Sequence, residues 1–462
     1  MYIYRCGEVD HPAGQVYSVD LHPDGDLLAT AGFNDRGKGC LIVWDLTAVV
    51  GCSKDLAQGE EAKEDEEKSK KRSAKLDEKA HMNRQNCVRW SRVDRGRYLV
   101  ATGDNSIVHL YEPFNDTDKS NFDLKDALQL IGHKSEVIHA EFSRDGKFLA
   151  SCSLDSSVII WDMKNLTKPL RILTSEDGGH SDYVRGLVWD PLERFLITQS
   201  SDQTIKVWRH GNWECEQTIT GFSNLSKFYS RMDWTADGSM LVAPCSGNNG
   251  FNTAKIILRK QWMAELDLVG FDGATSCVRG STRCNIITVN DKKLVGSLIA
   301  VGSQDRSVSI WMLPVYQRPL VVIQEILPEE ILDLSWHDEK LVVCGINGSV
   351  RCIILEESET GRFLSDREMA EQYSKSFSYV PSVYREREDD VDYGTVNVKD
   401  DEKSIWDEFD VPTEEMCQLA KDCDNYFLPH TLMRSCNQCL TIIRGSKCRY
   451  PEPEIEVIGD ED

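Results

Sequence analysis

Through its first 355 residues the chain reads as short runs of alternating apolar and polar positions, each closed by a turn. From position 136 on, Val137, His139 and Glu141 lead to a turn at Asp145-Gly146. A second run from Phe148 to Ser153 leads to a turn at Asp155, and then to Val158, Ile159, Ile160 and Trp161. A period of two predicts half-buried strands. Asp-Gly pairs occupy the same place in other stretches, at Asp24-Gly25 and Asp237-Gly238, where a tight hairpin requires positive φ.

The runs repeat. His133, Ser153, Asp155 and Trp161 recur as His180, Ser200, Asp202 and Trp208, every one displaced by 47 positions. Ser303, Asp305 and Trp311 keep the end of the pattern without a matching His. Shorter copies end at Trp44-Asp45 and at Tyr111-Glu112, with Asn105 in the Asp place. Four short strands in about 45 residues, closed by Trp-Asp, are the WD-repeat pattern and predict an all-β, seven-bladed propeller. The blades fall at residues 16–46, 86–112, 136–173, 183–219, 229–265, 274–323 and 331–355. The last has only three strands, so residues 2–5 are expected to supply its outer strand and clasp the ring shut.

His, Ser and Asp in one repeat also fit a hydrolase. A catalytic triad, however, is a single constellation beside an oxyanion hole, whereas this set recurs in successive blades. Each copy ends on a Trp whose ring N–H needs an acceptor, so the set reads as a buried hydrogen-bond network that fixes the blade turn. The sequence holds no Gly-x-Ser-x-Gly elbow, no phosphate loop, no His-Glu-x-x-His and no dinucleotide fingerprint. A non-catalytic binding platform without cofactor or catalytic residues is the expectation.

Composition narrows the partners. The 462 residues carry 53 Lys and Arg against 76 Asp and Glu, a net charge of −23, and 40% are hydrophobic. That is enough apolar surface for a core. No apolar run reaches the length of a membrane span, and the first residues lack the pattern of a secretory signal. The acidity disfavours direct nucleic-acid binding and favours a basic protein partner. Residues 356–462 hold 27 acids and 12 bases, so most of the excess lies outside the repeats. The sixteen cysteines, scattered through apolar stretches of a long chain, read as reduced and mostly buried.

Several segments carry more than a generic repeat. Ser18-Val-Asp-Leu-His-Pro-Asp-Gly25, Asn86-Cys-Val-Arg-Trp-Ser91, Asn248-Asn249 with the run from Thr253 to Ile257, Val301-Gly-Ser-Gln-Asp-Arg-Ser-Val-Ser-Ile-Trp311 and Arg318-Pro-Leu-Val-Val-Ile323 resemble the N-terminal propeller of the HIRA family. The resemblance covers residues 1 to about 380. It implies a nuclear subunit of a histone chaperone that assembles nucleosomes outside replication and acts as a transcriptional corepressor. Implied partners are a ubinuclein-type subunit on the propeller, the histone chaperone anti-silencing function 1, and a variant core histone pair. Two other readings stay open: the WD-repeat middle subunit of chromatin assembly factor 1, and a substrate receptor of a ubiquitin ligase.

Residues 59–80 form a charged insertion between the first two blades, read as a solvated loop. Within it Lys68, Lys70, Lys71, Arg72 and Lys75 resemble a nuclear localisation sequence. Beyond the repeats, Ser365-Asp-Arg-Glu368 is a capping box that opens a short helix in an edge-packing extension, residues 356–380. Residues 381–462 read as an acidic tail, largely disordered, with Trp406 and Phe409 as candidate anchors for basic histone surface. Arg444, Lys447 and Arg449 make the one candidate chaperone-binding segment. Cys436-Asn-Gln-Cys439 has zinc-knuckle spacing, with His430 and Cys448 to complete a set. Its second pair is irregular, and unrelated thiols are the favoured reading.

Overall fold

The structure is a computed structural model describing residues 1–6, 14–34, 36–49, 74–93, 95–114, 122–222, 229–248, 250–289, 292–385 and a strand at 441–444. Among the described residues seven antiparallel sheets of four or five strands form the blades, and a two-stranded ribbon, Pro113–Phe114 with Asp123–Leu124, interrupts blade two. In blade one the strands run from the inside outward as Gln15–Leu21, Leu27–Phe33, Gly39–Asp45 and Lys75–His81. Blades two to six repeat this order, opening with Gln85–Trp90, Val137–Phe142, Val184–Trp189, Asp233–Trp234 and Thr275–Val289. Blade seven has Ile331–His337, Lys340–Gly345 and Val350–Ile354, and its outer strand is Tyr2–Arg5, with Tyr2 opposite Ile354 and Arg5 opposite Arg351. The two ends of the ring are thus joined by main-chain hydrogen bonds.

Because each strand reverses the last, two sets of connections lie at opposite ends of the ring. The upper end carries the turn from second to third strand and the passage from each outer strand to the next blade. The lower end carries the first hairpin of each blade. Gly25, Gly146 and Gly238 sit in those lower hairpins at φ of 74°, 66° and 71°, as the Asp-Gly pairs predict. No single core exists. Seven apolar clusters each join two neighbouring blades, for instance Leu27, Ala29 and Leu41 with Val88, Trp90 and Leu99 between blades one and two. Every blade therefore depends on both neighbours, the last on the first through Val16, Val19 and Leu28 with Val342, Cys344 and Cys352.

Two elements differ from the sequence reading. The charged insertion ends earlier: Lys75–His81, with its acids and lysines, is the outer strand of blade one. An outer strand has one edge in solvent, so charge there costs little, and polarity hid the strand. Thr441–Arg444 is also a strand, pairing with the outer strand of blade five, Met263–Phe271. The extension packs beneath the ring rather than at its edge. Ser365 caps the helix Asp366–Phe377 by accepting from Glu368 N–H. Leu364, Met369 and Tyr373 bury against Leu192, Ala236 and Cys284. Nine of the ten cysteines among the described residues are buried.

Candidate interaction surface

The repeated polar residues are brought together in the upper turns, with one change of membership. In blade four Trp208 Nε1–H donates to Thr198 Oγ1 at 2.9 Å, and that hydroxyl meets His180 Nε2 at 2.7 Å. His180 Nδ1 lies 2.9 Å from Asp202, whose carboxylate also accepts from Ser181 N–H, Thr204 N–H and Thr204 Oγ1–H. An acceptor-only carboxylate places the imidazole proton on Nδ1, so donation runs from Trp to Thr to His to Asp. Blade three repeats it through Trp161, Ser151, His133 and Asp155, with Ser157 in support.

Ser153 and Ser200, read as network members, instead serve the turns: each hydroxyl accepts from the N–H two residues on, of Asp155 and Asp202. The hydroxyl level with the indole is two residues deeper, Ser151 or Thr198, on the same face of the strand. In blade six, which lacks the His, Trp311 donates to Ser309, Ser303 Oγ–H donates to Gly273 O, and Asp305 accepts from Asp272 N–H and Gly273 N–H. Burial pushes the Asp202 and Asp155 carboxyls up. Hydrogen bonds from His180 and His133, with Thr204, Ser157 and turn amides, outweigh it and hold both well below the usual carboxylate range. Asp202→Ala should cost about 2 kcal/mol in urea unfolding, from the donors left without an acceptor; a loss under about 0.5 kcal/mol would remove the network from the fold's support.

Buried histidines, His180 of this network among them, give a pH dependence. Burial, then the neighbouring His109, pushes His81 down to about 4, and burial lowers His22 and His180 too. The unfolded chain, with these groups near 6.5, binds more protons in this window. Stability is therefore full above about pH 6.5 and should fall as pH drops toward 4, seen as a declining urea midpoint from pH 7.5 to pH 5. A flat profile would contradict this assignment.

The axis of the ring is closed by charge. The inner strands of blades one, two, three, four, six and seven each carry a register shift at the upper end, between Val16 and Ser18, Gln85 and Cys87, Val137 and His139, Val184 and Gly186, Thr275 and Cys277, Ile331 and Asp333. Such a bulge takes one residue out of the ladder and re-aims its groups. The carbonyls of Tyr17, Asn86 and Leu332, all bulge residues, turn to Arg231 of blade five, which donates to them at 3.0, 2.8 and 2.6 Å. Asp333 of blade seven takes both Arg89 nitrogens, Nη1 at 2.8 Å and Nη2 at 3.0 Å, and Ser18 Oγ–H at 2.6 Å. Arg279 lies 3.6 Å from Glu141 and 3.7 Å from Asp233. Burial pushes the Asp333 carboxyl up, but Arg231, Arg89 and Arg279 overcome it and hold it far down.

Below this plug the extension lies under blades four to six, where Tyr373 donates to Ala236 O and packs with Leu192 and Cys284. Tyr384 donates to Thr282 O, and Glu193 holds Tyr379 and Ser382 at 2.9 Å and 2.5 Å. The upper mouth is rimmed by Tyr17, Phe33 and Tyr229, with Asn86, Glu136, Arg84 and Asp104 beside them.

Comparison with known proteins agrees with this architecture. The family model described as WD domain, G-beta repeat matches residues 5–45, 125–162 and 167–209. The chain is 30% identical to Protein HIR1 of Cryptococcus neoformans over 402 residues, 82% of this chain and 43% of that protein. It is 33% identical to the Protein HIRA homolog of Drosophila melanogaster over 401 residues, 82% of this chain and 36% of the relative. The chain belongs to the HIRA family. Human Protein HIRA is 30% identical over 394 residues, 80% of this chain and 36% of its own length. The chain thus spans about two fifths of these HIRA-family relatives.

The remaining candidates from the sequence lie mostly outside the described residues: Lys68, Lys70, Lys71, Arg72, Trp406, Phe409, His430, Cys436, Cys439, Lys447, Cys448 and Arg449. Lys75 is in the outer strand of blade one, paired with Glu78 at 2.8 Å, and Arg444 ends the strand on blade five. Among the described residues no three metal-ligating side chains cluster, and no helix is long and apolar enough to cross a membrane.

Proposed function

We propose that the chain is the non-catalytic propeller subunit of a HIRA-like histone chaperone complex, working in the nucleus in nucleosome assembly outside replication and in transcriptional repression. The observation that carries this is the match to HIR1 and HIRA proteins across about 80% of the chain. The fold supports a scaffold: the recurrent polar set is spent on blade turns, and the axis is filled by its own ion pairs. The propeller would hold a ubinuclein-type subunit. The acidic residues beyond 385 would face basic histone surface, and 444–449 would be the segment offered to anti-silencing function 1. Residues 68–75 would serve nuclear import.

Affinity purification of the tagged full chain tests the reading. Recovery of a ubinuclein-like protein with the variant histone pair supports it. Recovery of the large subunit of the replication-coupled assembly factor, or of cullin adaptors, overturns it.

A further inference from the structure

The two ends of the ring differ in what they leave open. The extension packs against the lower end, with Tyr373 donating to Ala236 O and Tyr384 to Thr282 O. The upper mouth is uncovered by any described residue, and the bulges present unlike side chains around it. On one side lie three rings, with Tyr17 5.7 Å from Phe33 and 6.1 Å from Tyr229, centroid to centroid. A hydrogen-bond chain runs from Tyr229 OH to Asn86 Oδ1, 3.1 Å, and from Asn86 Nδ2 to Glu136 Oε1, 2.7 Å. Asp104 completes the acidic side, and Glu136 is raised by burial and by Asp104 beside it.

The mouth already holds one guanidinium of its own. Arg84 lies 5.6 Å over the Phe33 ring, while its Nε donates to Asp104 at 2.6 Å, with half of its side chain in solvent. Aromatic face plus carboxylate is the arrangement that holds a desolvated cation. Arg84 is bound to Asp104; Glu136, beside Asp104, accepts from Asn86, and Arg84 only partly offsets the burial and the Asp104 charge that act on it. Arg185, the other base nearby, is turned to Ser201. At the floor Arg231, 1% exposed, lies 4.6 Å from the Tyr229 ring and turns its Nε to Asp333 at 3.7 Å, so the plug closes the site from below.

The surroundings extend the match. The described upper loops are rich in acids, among them Asp182, Asp272, Glu329 and Glu330, whereas the lower loops mix both signs. Large exposed apolar groups stand in the same upper loops: Met82, Tyr183 and Phe251.

We propose that the upper mouth is a docking site for a basic, extended peptide segment, which lays an Arg or Lys side chain over Tyr17 and Tyr229 against Glu136. The inference rests on the reading of the chain as a partner platform and names the chemistry of one partner. It assigns recognition of basic protein to the propeller itself, in addition to any contact by the acidic tail.

The test uses the full chain and a fluorescein-labelled dodecapeptide alternating Lys or Arg with Ala, with a Gln-for-base peptide as control, at physiological salt. Glu136→Gln keeps the Asn86 hydrogen bond and removes only charge. Together with Asp104→Asn it should weaken binding at least tenfold, while Glu356→Gln beneath the ring leaves affinity unchanged. Hydrogen exchange on the wild-type complex should show added protection at 84–86, 134–136 and 229–231. Equal affinity in the double variant, or protection confined to the tail or the lower loops, overturns the proposal, and the exchange readout decides even if a variant folds poorly. The purification above is independent of this outcome: chromatin partners recovered by a chain whose mouth fails to bind the peptide sink this inference alone.

Discussion

Asp333→Ala is expected to cost about 3–5 kcal/mol of folding stability, the largest effect of any single substitution in the ring. The carboxylate is fully buried and joins four blades: its own, blade one through Ser18 and Val19 N–H, blade two through Arg89 and blade five through Arg231. Removing it leaves two buried guanidinium groups facing each other without a counter-charge, and a third, Arg279, close enough to act on the same carboxyl. The cost thus comes less from the lost pair than from the cations left behind. Asp333→Asn, which keeps the shape and part of the hydrogen bonding, should fall between wild type and Ala. Pairing Asp333→Leu with Arg89→Met should recover much of the loss, because a matched apolar pair carries no desolvation debt. Urea unfolding of the four proteins checks this. A loss under about 1 kcal/mol for Asp333→Ala would mean that water reaches the axis and screens the arginines.

Deletion of residues 1–6 should have an effect of the same order, by a different route. Four residue pairs, Tyr2–Ile354 to Arg5–Arg351, close the ring, and Cys6 is 3% exposed in the cluster between blades seven and one. At about 1 kcal/mol per net hydrogen bond, with the burial of Cys6 added, the loss is on the order of 4 kcal/mol. The larger consequence is kinetic. Without its outer strand, Val350–Ile354 presents an unpaired edge, which is open to pairing with other chains. The shortened protein should melt lower, lose protection against proteolysis first in blades seven and one, and aggregate on warming. A synthetic peptide of residues 1–14 added in trans should restore part of the protection. A shortened chain that melts and digests like the full one would show that the inter-blade clusters alone hold the ring closed.

Both effects bear on how the sequence encodes the structure. Blade number and order follow from local patterns: Asp-Gly hairpins, a period of two, and a Trp that closes each repeat. The closing strand follows too, since a blade with three strands implies a fourth elsewhere. Failures occur where a residue's role depends on a neighbour remote in sequence. Ser153 and Ser200 stand at the motif spacing, yet the indole and imidazole meet Ser151 and Thr198, because strand geometry rather than spacing sets which hydroxyl is level with the ring. Lys75–His81 was hidden because an outer strand edged by solvent needs no apolar face. Nothing local marks Arg231 as different from any surface arginine, although its partners lie 101 to 214 positions away.

The sequence by itself determined a ring of WD blades, the polar sets that fasten their turns, the segments that resemble one family of propellers, and the concentration of acid beyond residue 355. Hydrogen bonding and side-chain alternation within a blade act between residues close in the chain, and so leave a readable period. Only the tertiary structure decided what fills the axis, which end of the ring the extension packs against, and which rings and carboxylates share the upper rim. Those outcomes depend on inner strands of blades hundreds of residues apart being brought side by side, and on bulges that turn their carbonyls and side chains toward one another. No period along the chain records that convergence.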